Sequence, residues 1–499
     1  MRASWSRPLA VALGIGVLAG AGTVALAAAA AAAQPPPIVR AKPLASLTLG
    51  FSGGADPVLA SGNPATQAFW VPRAHSEDAQ MVRLDVSWSA VAPQTLPPGF
   101  DASNPAAPGY NWTTVDAQVR ELATAHFQIM ITVQGAPTWA EGPGMPSSAF
   151  GGTWKPSAAD LAQFAQAIAT RYDGSYPDPL RPGHTLPRVA IWQAWDEPNL
   201  PELLSPQWQR TPSGRLEPVS PRIYRGMENA FYHAVKRVSA SNYVVMAGLA
   251  PYGDSPGLAP TDRMRPVEFE RALLCVTTKL ALQRGCGGAT YFDAIDSHPY
   301  SIYGPTWHAY WADDVSIPDV HKLVRVLRAA QKLHTAMPAG PKGNWVTETS
   351  WNTKPPNPRG VPVAEDARWL EQALYILWQQ GVSHVLWWQL SDSPPDPTYY
   401  TSYESGTFYL DGRPKPAATA FRFPFITWRT GPGTVMIWAR APGTGVVSVQ
   451  ALDAGRWQTL VRVRVRANQV FELPLALTGA HQVRAKLGAD TSLPWAQAA

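Results

Sequence analysis

The chain has 499 residues, of which 45% are hydrophobic and 15% are charged. This composition provides for large buried cores and excludes a globally disordered protein, and the length fits one large and one small domain. The formal net charge of +5 comes from 41 basic and 36 acidic residues. Because no long basic run accompanies this excess, it does not predict a nucleic-acid-binding protein.

The first 33 residues have the features of an export signal. Two arginines precede an apolar run at residues 9–33, and the run ends in alanines that suit cleavage. The run is long enough to cross a bilayer, so an uncleaved membrane anchor is the alternative. In either case we expect a Pro-rich linker at residues 34–43 and an extracytoplasmic location for the remainder, secreted or anchored facing outside.

Short apolar segments alternate with amphipathic helical patterns over the next 350 or so residues. The predicted strands are residues 47–52, 80–87, 128–134, 188–195, 243–249, 292–297, 345–348 and 383–389. The predicted helices include residues 113–126, 157–172, 221–241, 266–283, 319–337 and 362–378. This alternation predicts an α/β fold, a (β/α)8 TIM barrel over residues 44–425. A doubly wound sheet is the alternative, but no Gly-rich nucleotide-binding motif follows a strand.

After residue 425 the pattern changes to short strands separated by Gly-rich turns. Val and Arg alternate between residues 461 and 466, which is typical of a half-buried strand. We predict a small C-terminal β-sandwich domain at residues 426–488, followed by a tail at residues 489–499. The basic face of the sandwich would either contact an acidic glycan or be a plain solvated surface.

The chain contains two cysteines, Cys275 and Cys286. An even number in an exported chain predicts one disulfide rather than a catalytic thiol. No CxxC, HExxH or clustered His/Cys spacing is present, so we expect no metal site and no cofactor.

Two glutamates occupy positions suited to glycoside hydrolysis, which needs two carboxyl groups flanking the anomeric carbon. In a barrel such groups project from the carboxyl ends of the strands. Glu197 follows the fourth predicted strand and precedes Pro198, which ends it, and Glu348 ends the seventh. Two such acids with flanking tryptophans favour a catalytic pair over solvated loop residues.

The segment Trp195-Asp-Glu-Pro-Asn199 resembles the W-N-E-P-N signature of clan-A glycoside hydrolases, notably families 5 and 39. The resemblance covers about residues 44–425. It implies a retaining glycosidase in which Glu197 is the general acid/base and Glu348 is the nucleophile.

The same resemblance implies substrate-binding roles for further residues. Arg83 resembles the arginine that holds the nucleophile's carboxylate, and His298 and Tyr300 resemble the pair that orients it. Trp388 resembles the tryptophan that forms the floor under the scissile sugar, and we expect Trp139 to line a neighbouring subsite. His298 taken alone would also fit a hydrogen-bonded core histidine.

Asp196, a further predicted substrate-binding residue, departs from the signature, which has Asn at this position. The Asn amide donates to the sugar 2-hydroxyl, whereas an ionised Asp only accepts hydrogen bonds. The 2-hydroxyl would therefore have to donate, or the 2-substituent would be cationic. A carboxylate beside Glu197 should also disfavour ionisation of that residue.

The sequence thus predicts an exported hydrolase that cleaves O-glycosidic bonds in a poly- or oligosaccharide by double displacement. Its partner would be a carbohydrate and not a nucleic acid. One alternative is a non-hydrolytic glycan-binding protein on a decayed glycosidase barrel, and another is an envelope-attachment scaffold. Asp196 keeps the first alternative open, whereas the retained pair of Glu197 and Glu348 argues against it.

Overall fold

Eight strands, each parallel to its neighbours, close into a barrel. They are Thr48–Ser52, Met81–Ser87, Gln128–Gln134, Ile191–Ala194, Tyr243–Met246, Ala294–Ser297, Gly343–Val346 and His384–Trp388. Each strand pairs with the next one of this series, and the eighth pairs with the first through His384 opposite Thr48. All eight overlap predicted strands, so the prediction of a TIM barrel is confirmed.

The computed structural model describes residues 36–42, 44–53, 58–254 and 259–498. The predicted export signal at residues 1–33 lies outside this part of the chain. Within the described residues, no helix combines the length and the apolar character needed to cross a membrane.

The helices between the barrel strands pack their apolar faces against the outside of the barrel. The α-helices are Pro64–Ser76, Trp88–Val91, Thr113–Thr124, Ala158–Arg171, Ser220–Val238, Pro266–Leu273, His321–Lys332, Val363–Gln379 and Pro416–Arg422, and three 3-10 turns are Val58–Ala60, Thr138–Ala140 and Ile317–Asp319. The predicted helix at residues 266–283 is wrong in length, because it ends at Leu273. Cys275 has a φ of 57°, a left-handed conformation that cannot continue an α-helix.

The inside of the barrel changes from apolar to polar along the strands. Near their amino-terminal ends, an apolar cluster is formed by Met81, Met130, Ile191, Val245, Ala294, Trp345 and Leu386. Two residues further along five of these strands, the buried side chains are Arg83, Thr132, Gln193, Asp296 and Thr347. Because side chains of a strand alternate between its faces, both sets point inward. The polar layer therefore lies below the carboxyl-terminal mouth of the barrel.

The C-terminal region forms the predicted β-sandwich. One sheet contains Ile38–Arg40, Arg456–Val465, Gly445–Asp453, His481–Leu487, Asp490–Thr491 and Trp495–Gln497, and the other contains Phe425–Gly431, Thr434–Arg440 and Val470–Ala476. The inner faces share a core that includes Val447, Val463 and Phe471.

Two segments expected to be irregular belong to this sandwich instead. Ile38–Arg40, within the predicted linker, pairs in parallel with Arg462–Arg464. Asp490–Thr491 and Trp495–Gln497, within the predicted tail, pair with His481–Leu487. The edge of a sheet offers unpaired N–H and C=O groups, and these order short segments that lack a strand pattern of their own.

The predicted disulfide between Cys275 and Cys286 is present. It ties the end of helix Pro266–Leu273 to the Gly-rich stretch that leads to Thr290–Tyr291. The short strand Thr290–Tyr291 pairs with Ala336–Met337, so the bridge fixes a loop beside the sixth barrel strand.

Candidate active site

Glu197 and Glu348 follow the fourth and seventh barrel strands and line one cleft at the carboxyl-terminal mouth of the barrel. The cleft has a volume of about 430 Å³ and is lined by Asp196, Glu197, Tyr300, Glu348, Ser350, Asn352, Trp388 and Tyr403. Five of the predicted catalytic and substrate-binding residues therefore line the cleft. Two more, Arg83 and His298, contact the carboxylates of the cleft from the polar layer below it.

The backbone after the fourth strand is held in an unusual conformation. Trp195 has a φ of 72° and Glu197 a φ of 34°, both in the left-handed region that non-glycine residues adopt at a cost. The surroundings fix this turn, because Trp195 is fully buried and the Glu197 N–H donates to the Gly248 carbonyl at 3.1 Å. The turn directs Glu197 into the cleft.

Arg83, from the second strand, is wholly buried and contacts three carboxylates. It donates to Glu348 Oε1 through a short contact, to Asp196 Oδ1 at 2.7 Å and to Thr132 Oγ1 at 2.9 Å, and Asp85 Oδ1 lies 3.3 Å away. Burial alone would lower the pKa of Arg83, but Asp196, Asp85 and Glu348 raise it well above its usual value. Arg83 is therefore a permanent cation that fixes Glu348 and Asp196 relative to each other.

Tyr300 holds the second oxygen of Glu348. Its hydroxyl donates to Glu348 Oε2 at 3.0 Å. Burial, and then the charge of Glu348, raise the pKa of Tyr300 well above its usual value, so the hydroxyl keeps its proton. Both oxygens of Glu348 thus accept hydrogen bonds, which fixes the orientation of its carboxyl group.

His298 lies between the two glutamates. Its Nδ1 is 2.9 Å from Glu197 Oε1 and 3.7 Å from Glu348 Oε2, and its Nε2 is 3.1 Å from Thr347 Oγ1. Burial alone would lower the pKa of His298, but Glu348, Glu197 and Asp196 raise it to about 10. At neutral pH the ring is therefore a cation that donates from both nitrogens, and it does not resemble an ordinary core histidine.

A chain of hydrogen bonds in the polar layer supports this arginine and this histidine. Thr347 Oγ1, which accepts from the imidazolium, donates to Asp296 Oδ2 at 2.5 Å. Gln193 Nε2 donates to the same oxygen at 2.7 Å, and Thr132 Oγ1 donates to Gln193 Oε1 at 2.8 Å. Because each donor has a matched acceptor, the layer has one consistent arrangement and preorganises the groups above it.

The contacts of His298 limit the separation of the two glutamates. One atom, Nδ1, lies 2.9 Å from Glu197 Oε1 and 3.7 Å from Glu348 Oε2, so these two oxygens are at most the sum of those distances, 6.6 Å, apart. Both can therefore approach the same carbon atom of a ligand in the cleft.

The predicted tryptophans differ in position. Trp388 lines the cleft, with its ring 6.0 Å from that of Tyr403 and nearly perpendicular to it. Trp139 is not among the described residues that line the cleft, since its indole N–H donates to the Pro93 carbonyl at 2.8 Å and its ring packs edge-on against Trp88. A role for Trp139 at a neighbouring subsite stays a prediction.

Several residues of the site were not predicted. Asp85 lies two positions after Arg83 on the inward face of the same strand, and strand alternation could have found it. Burial raises the pKa of Asp85 to about 7, although Arg83 opposes this. Asn352 and Tyr403 come from loops with no periodic pattern. Asn352 lines the cleft, and its Oδ1 accepts from the backbone N–H of Glu404 at 3.0 Å.

One set of side chains has the spacing of metal ligands. Among the described residues, a ligand atom from each of Asp196, His298 and Glu348 lies within 4.8 Å of the others. Arg83 already bonds to both carboxylates, and His298 is itself cationic, so the protein supplies the positive charge that an ion would bring. The absence of a metal from the chemistry stays a prediction.

Comparison with protein-family models finds no match, and comparison with curated proteins finds none. Among solved structures, a family 39 glycoside hydrolase from the gut symbiont Bacteroides cellulosilyticus WH2 is similar, with a TM-score of 0.50 and 16% identity over 88% of this chain and 81% of that chain. A monomeric beta-xylosidase from Caulobacter crescentus CB15 matches with a TM-score of 0.49 and 15% identity over 88% of this chain and 98% of that chain. At this level of identity the likeness concerns the fold alone.

Proposed function

We propose that this protein is a retaining O-glycoside hydrolase that acts on a poly- or oligosaccharide outside the cytoplasm. The observation that carries the proposal is the pair Glu197 and Glu348, which line one cleft and are held there by Arg83, Tyr300 and His298. The contacts of His298 put an upper bound of 6.6 Å on the distance between Glu197 Oε1 and Glu348 Oε2. This bound includes the roughly 5–5.5 Å of retaining enzymes and only the lower edge of the roughly 6.5–9.5 Å of inverting ones. Residues 44–425 would be the catalytic domain.

In the first step, Glu348 attacks the anomeric carbon while Glu197 gives its proton to the glycosidic oxygen. The bond between that carbon and that oxygen breaks, the leaving group departs as an alcohol, and a glycosyl ester forms on Glu348. The imidazolium of His298, 2.9 Å from Glu197 Oε1, stabilises the carboxylate that Glu197 becomes.

In the second step, Glu197 takes a proton from a water molecule whose oxygen attacks the anomeric carbon. The ester bond to Glu348 breaks, and Arg83 and Tyr300 again hold a free carboxylate. Each step inverts the carbon once, so the product retains the configuration of the substrate.

Two observations support export. The bond between Cys275 and Cys286 is of a kind that persists in oxidising compartments. The apolar segment at residues 9–33 precedes the part of the chain that the structure describes. Detection of the mature N-terminus would distinguish a cleaved signal from a membrane anchor.

The proposal is tested by product stereochemistry in two variants. A panel of fluorogenic glycosides first identifies a substrate, and Glu348→Ala and Glu197→Ala are then assayed with azide. Glu348→Ala should lose several orders of magnitude in rate and, with azide attacking in place of the nucleophile, give a glycosyl azide of inverted configuration. Glu197→Ala should spare substrates with good leaving groups and give an azide of retained configuration.

The reverse pattern would exchange the two roles. Near wild-type activity of Glu348→Ala on every substrate would refute the mechanism. A wild-type protein that binds oligosaccharides but cleaves no member of the panel would instead be the non-hydrolytic glycan-binding protein on a decayed barrel.

A further inference from the structure

A second concave surface lies in the β-sandwich. It has a volume of about 790 Å³, and its charged and amide side chains are Arg40, Arg464, Arg466, Asn468 and Gln469. We call this surface the basic groove. Its three arginines are solvent-exposed.

Strand pairing brings these arginines together from the two ends of the described chain. Arg40 lies directly opposite Arg464 in the parallel pairing, and Val463 and Val465 point into the sandwich core. Because side chains alternate, Arg464 and Arg466 share the outer face of the strand. Like charges directly opposite each other destabilise a sheet, so fold stability gives no reason for this arrangement.

The arginines of the groove have no acidic partner among the described residues. Within the described ranges, neither Arg40 nor Arg464 nor Arg466 has an ion-pair partner or a side-chain hydrogen bond. The charge extends along the sheet, since Arg462 and Lys486 lie on either side of Ser448 on the same face.

The two amides of the groove also present donors. Asn468 Oδ1 accepts from Arg440 at 2.7 Å, and Gln469 Oε1 accepts from the backbone N–H of Arg466 at 2.9 Å. Each carbonyl oxygen thus accepts one hydrogen bond from the protein, and each NH2 group adds two N–H donors to the lining of the groove. With the guanidinium groups, the groove therefore offers mainly N–H donors, which fits a ligand with several anionic acceptors.

The groove adjoins the end of the barrel that lies opposite the cleft. Arg440, which holds Asn468, also donates to the Leu47 carbonyl at 2.9 Å and to Gln80 Oε1 at 3.1 Å. Leu47 and Gln80 immediately precede the first and second barrel strands. The cleft lies at the carboxyl ends of the strands, so the groove is a separate site and not an extension of it.

We propose that the basic groove binds a polysaccharide that carries carboxylate groups, independently of catalysis in the cleft. Guanidinium groups match carboxylates in bidentate geometry, and the amide donors suit the hydroxyl and ring oxygens between them. A concave site lined by arginines and two amides accommodates a chain that enters it, whereas a flat bilayer surface would meet only its rim. The groove therefore gives the protein a second glycan contact at the far end of the barrel.

Affinity electrophoresis of the full chain through polygalacturonate gels tests the proposal. Wild-type protein should be retarded by polygalacturonate and not by neutral dextran, and the retardation should weaken as salt rises. The double variant Arg40→Gln/Arg464→Gln should bind at least about tenfold more weakly, a loss equal to about 1.4 kcal/mol. The control Arg325→Gln/Arg328→Gln removes the same charge from exposed positions of helix His321–Lys332 and should bind within about twofold of wild type.

Three outcomes would overturn the proposal. The first is equal weakening in both double variants, which would indicate a general effect of net charge. The second is no retardation of the wild type, and the third is binding to phosphatidylglycerol vesicles in place of polygalacturonate. Thermal unfolding of each variant confirms that it is folded, and hydrolysis of a small soluble glycoside should be the same in all of them, which separates this test from that of the catalytic pair.

Discussion

Arg83 and Arg464 are the same residue type in opposite settings. Arg83 is fully buried and bonds to Glu348 and Asp196, whereas Arg464 is exposed, faces Arg40 and has no carboxylate partner among the described residues. A buried cation requires matched anions, and the match fixes the positions of both. An exposed cation without an anion costs little and leaves its charge available to a ligand. Arg83 therefore positions carboxylates of the protein itself, whereas Arg464 can attract an anionic ligand.

The largest expected effect is that of Arg83→Gln. The carboxylates of Glu348, Asp196 and Asp85 would lose their shared cation, and kcat should fall by roughly 10²- to 10³-fold or more, as for loss of a preorganised donor. Stability should fall by about 3–5 kcal/mol, as for a broken buried ion pair. Steady-state kinetics and urea unfolding measure the two effects.

Arg440→Gln is the matched control, since Arg440 is equally buried but lies at the other end of the barrel. It should lose stability while the folded protein keeps kcat within about twofold. An Arg83→Gln variant that is destabilised but keeps its kcat would show that Arg83 is only structural.

His298→Gln should change how stability depends on pH. The pKa of His298 is raised to about 10 in the folded protein, against roughly 6.5 in an unfolded chain. Its stabilising effect is therefore complete below about pH 6.5 and is lost as the pH rises toward 10. Urea unfolding at several pH values should show a smaller loss of stability between pH 7 and 10 in the variant than in wild type.

His384→Gln is the control for this measurement. Burial lowers the pKa of His384 to about 4, so this ring is neutral in both the folded and the unfolded chain above pH 7. The variant should keep the wild-type slope between pH 7 and 10, and an equal change of slope in both variants would contradict the cationic state of His298.

A smaller effect is expected for Asp196→Asn. Removing a negative charge beside Glu197 should move the alkaline limb of the pH–rate profile to lower pH. Arg83 lies 2.7 Å from Asp196 Oδ1 and offsets much of that charge, so we expect a shift of less than about one pH unit. An alkaline limb that stays in place or moves upward would count against an influence of Asp196 on Glu197.

The smallest effect is expected for Arg464→Gln. Its side chain is exposed and makes no side-chain hydrogen bond within the described residues, so stability should change by no more than about 0.5 kcal/mol in urea unfolding. A small gain would sharpen the contrast with Arg83, because repulsion from Arg40 would be relieved. A loss of several kcal/mol would show that Arg464 is part of the fold.

The barrel could be predicted because each strand carries its own signal. The strand residues that face the surrounding helices are apolar, whereas polar residues such as Arg83 and Asp296 face the inside of the barrel. These short apolar segments were enough to find all eight strands. Ile38–Arg40 has no such signal, since three residues become a strand only where a partner, Arg462–Arg464, offers hydrogen bonds. The helix from Pro266 was predicted too long because its apolar pattern continues past the left-handed conformation of Cys275.

The residues of the candidate site also fall into those that the sequence could predict and those that it could not. Glu197 and Glu348 could be named because each lies within three residues of the end of a barrel strand. Tyr403 and Asn352 reach the cleft through loops whose paths depend on tertiary contacts, such as that between Asn352 and the Glu404 backbone. Trp139 follows its strand as expected, but its side chain points toward Pro93. Local sequence does not determine that orientation.

The strand Ile38–Arg40 has a consequence for self-association. A barrel has no open edge, but a sandwich does, and exposed edge strands recruit strands from other molecules. Here the three residues cover Arg462–Arg464 at the end of the sheet. A chain trimmed past Arg40 would present that edge to solvent, and repulsion between arginines of two copies would oppose their joining into a continuous sheet.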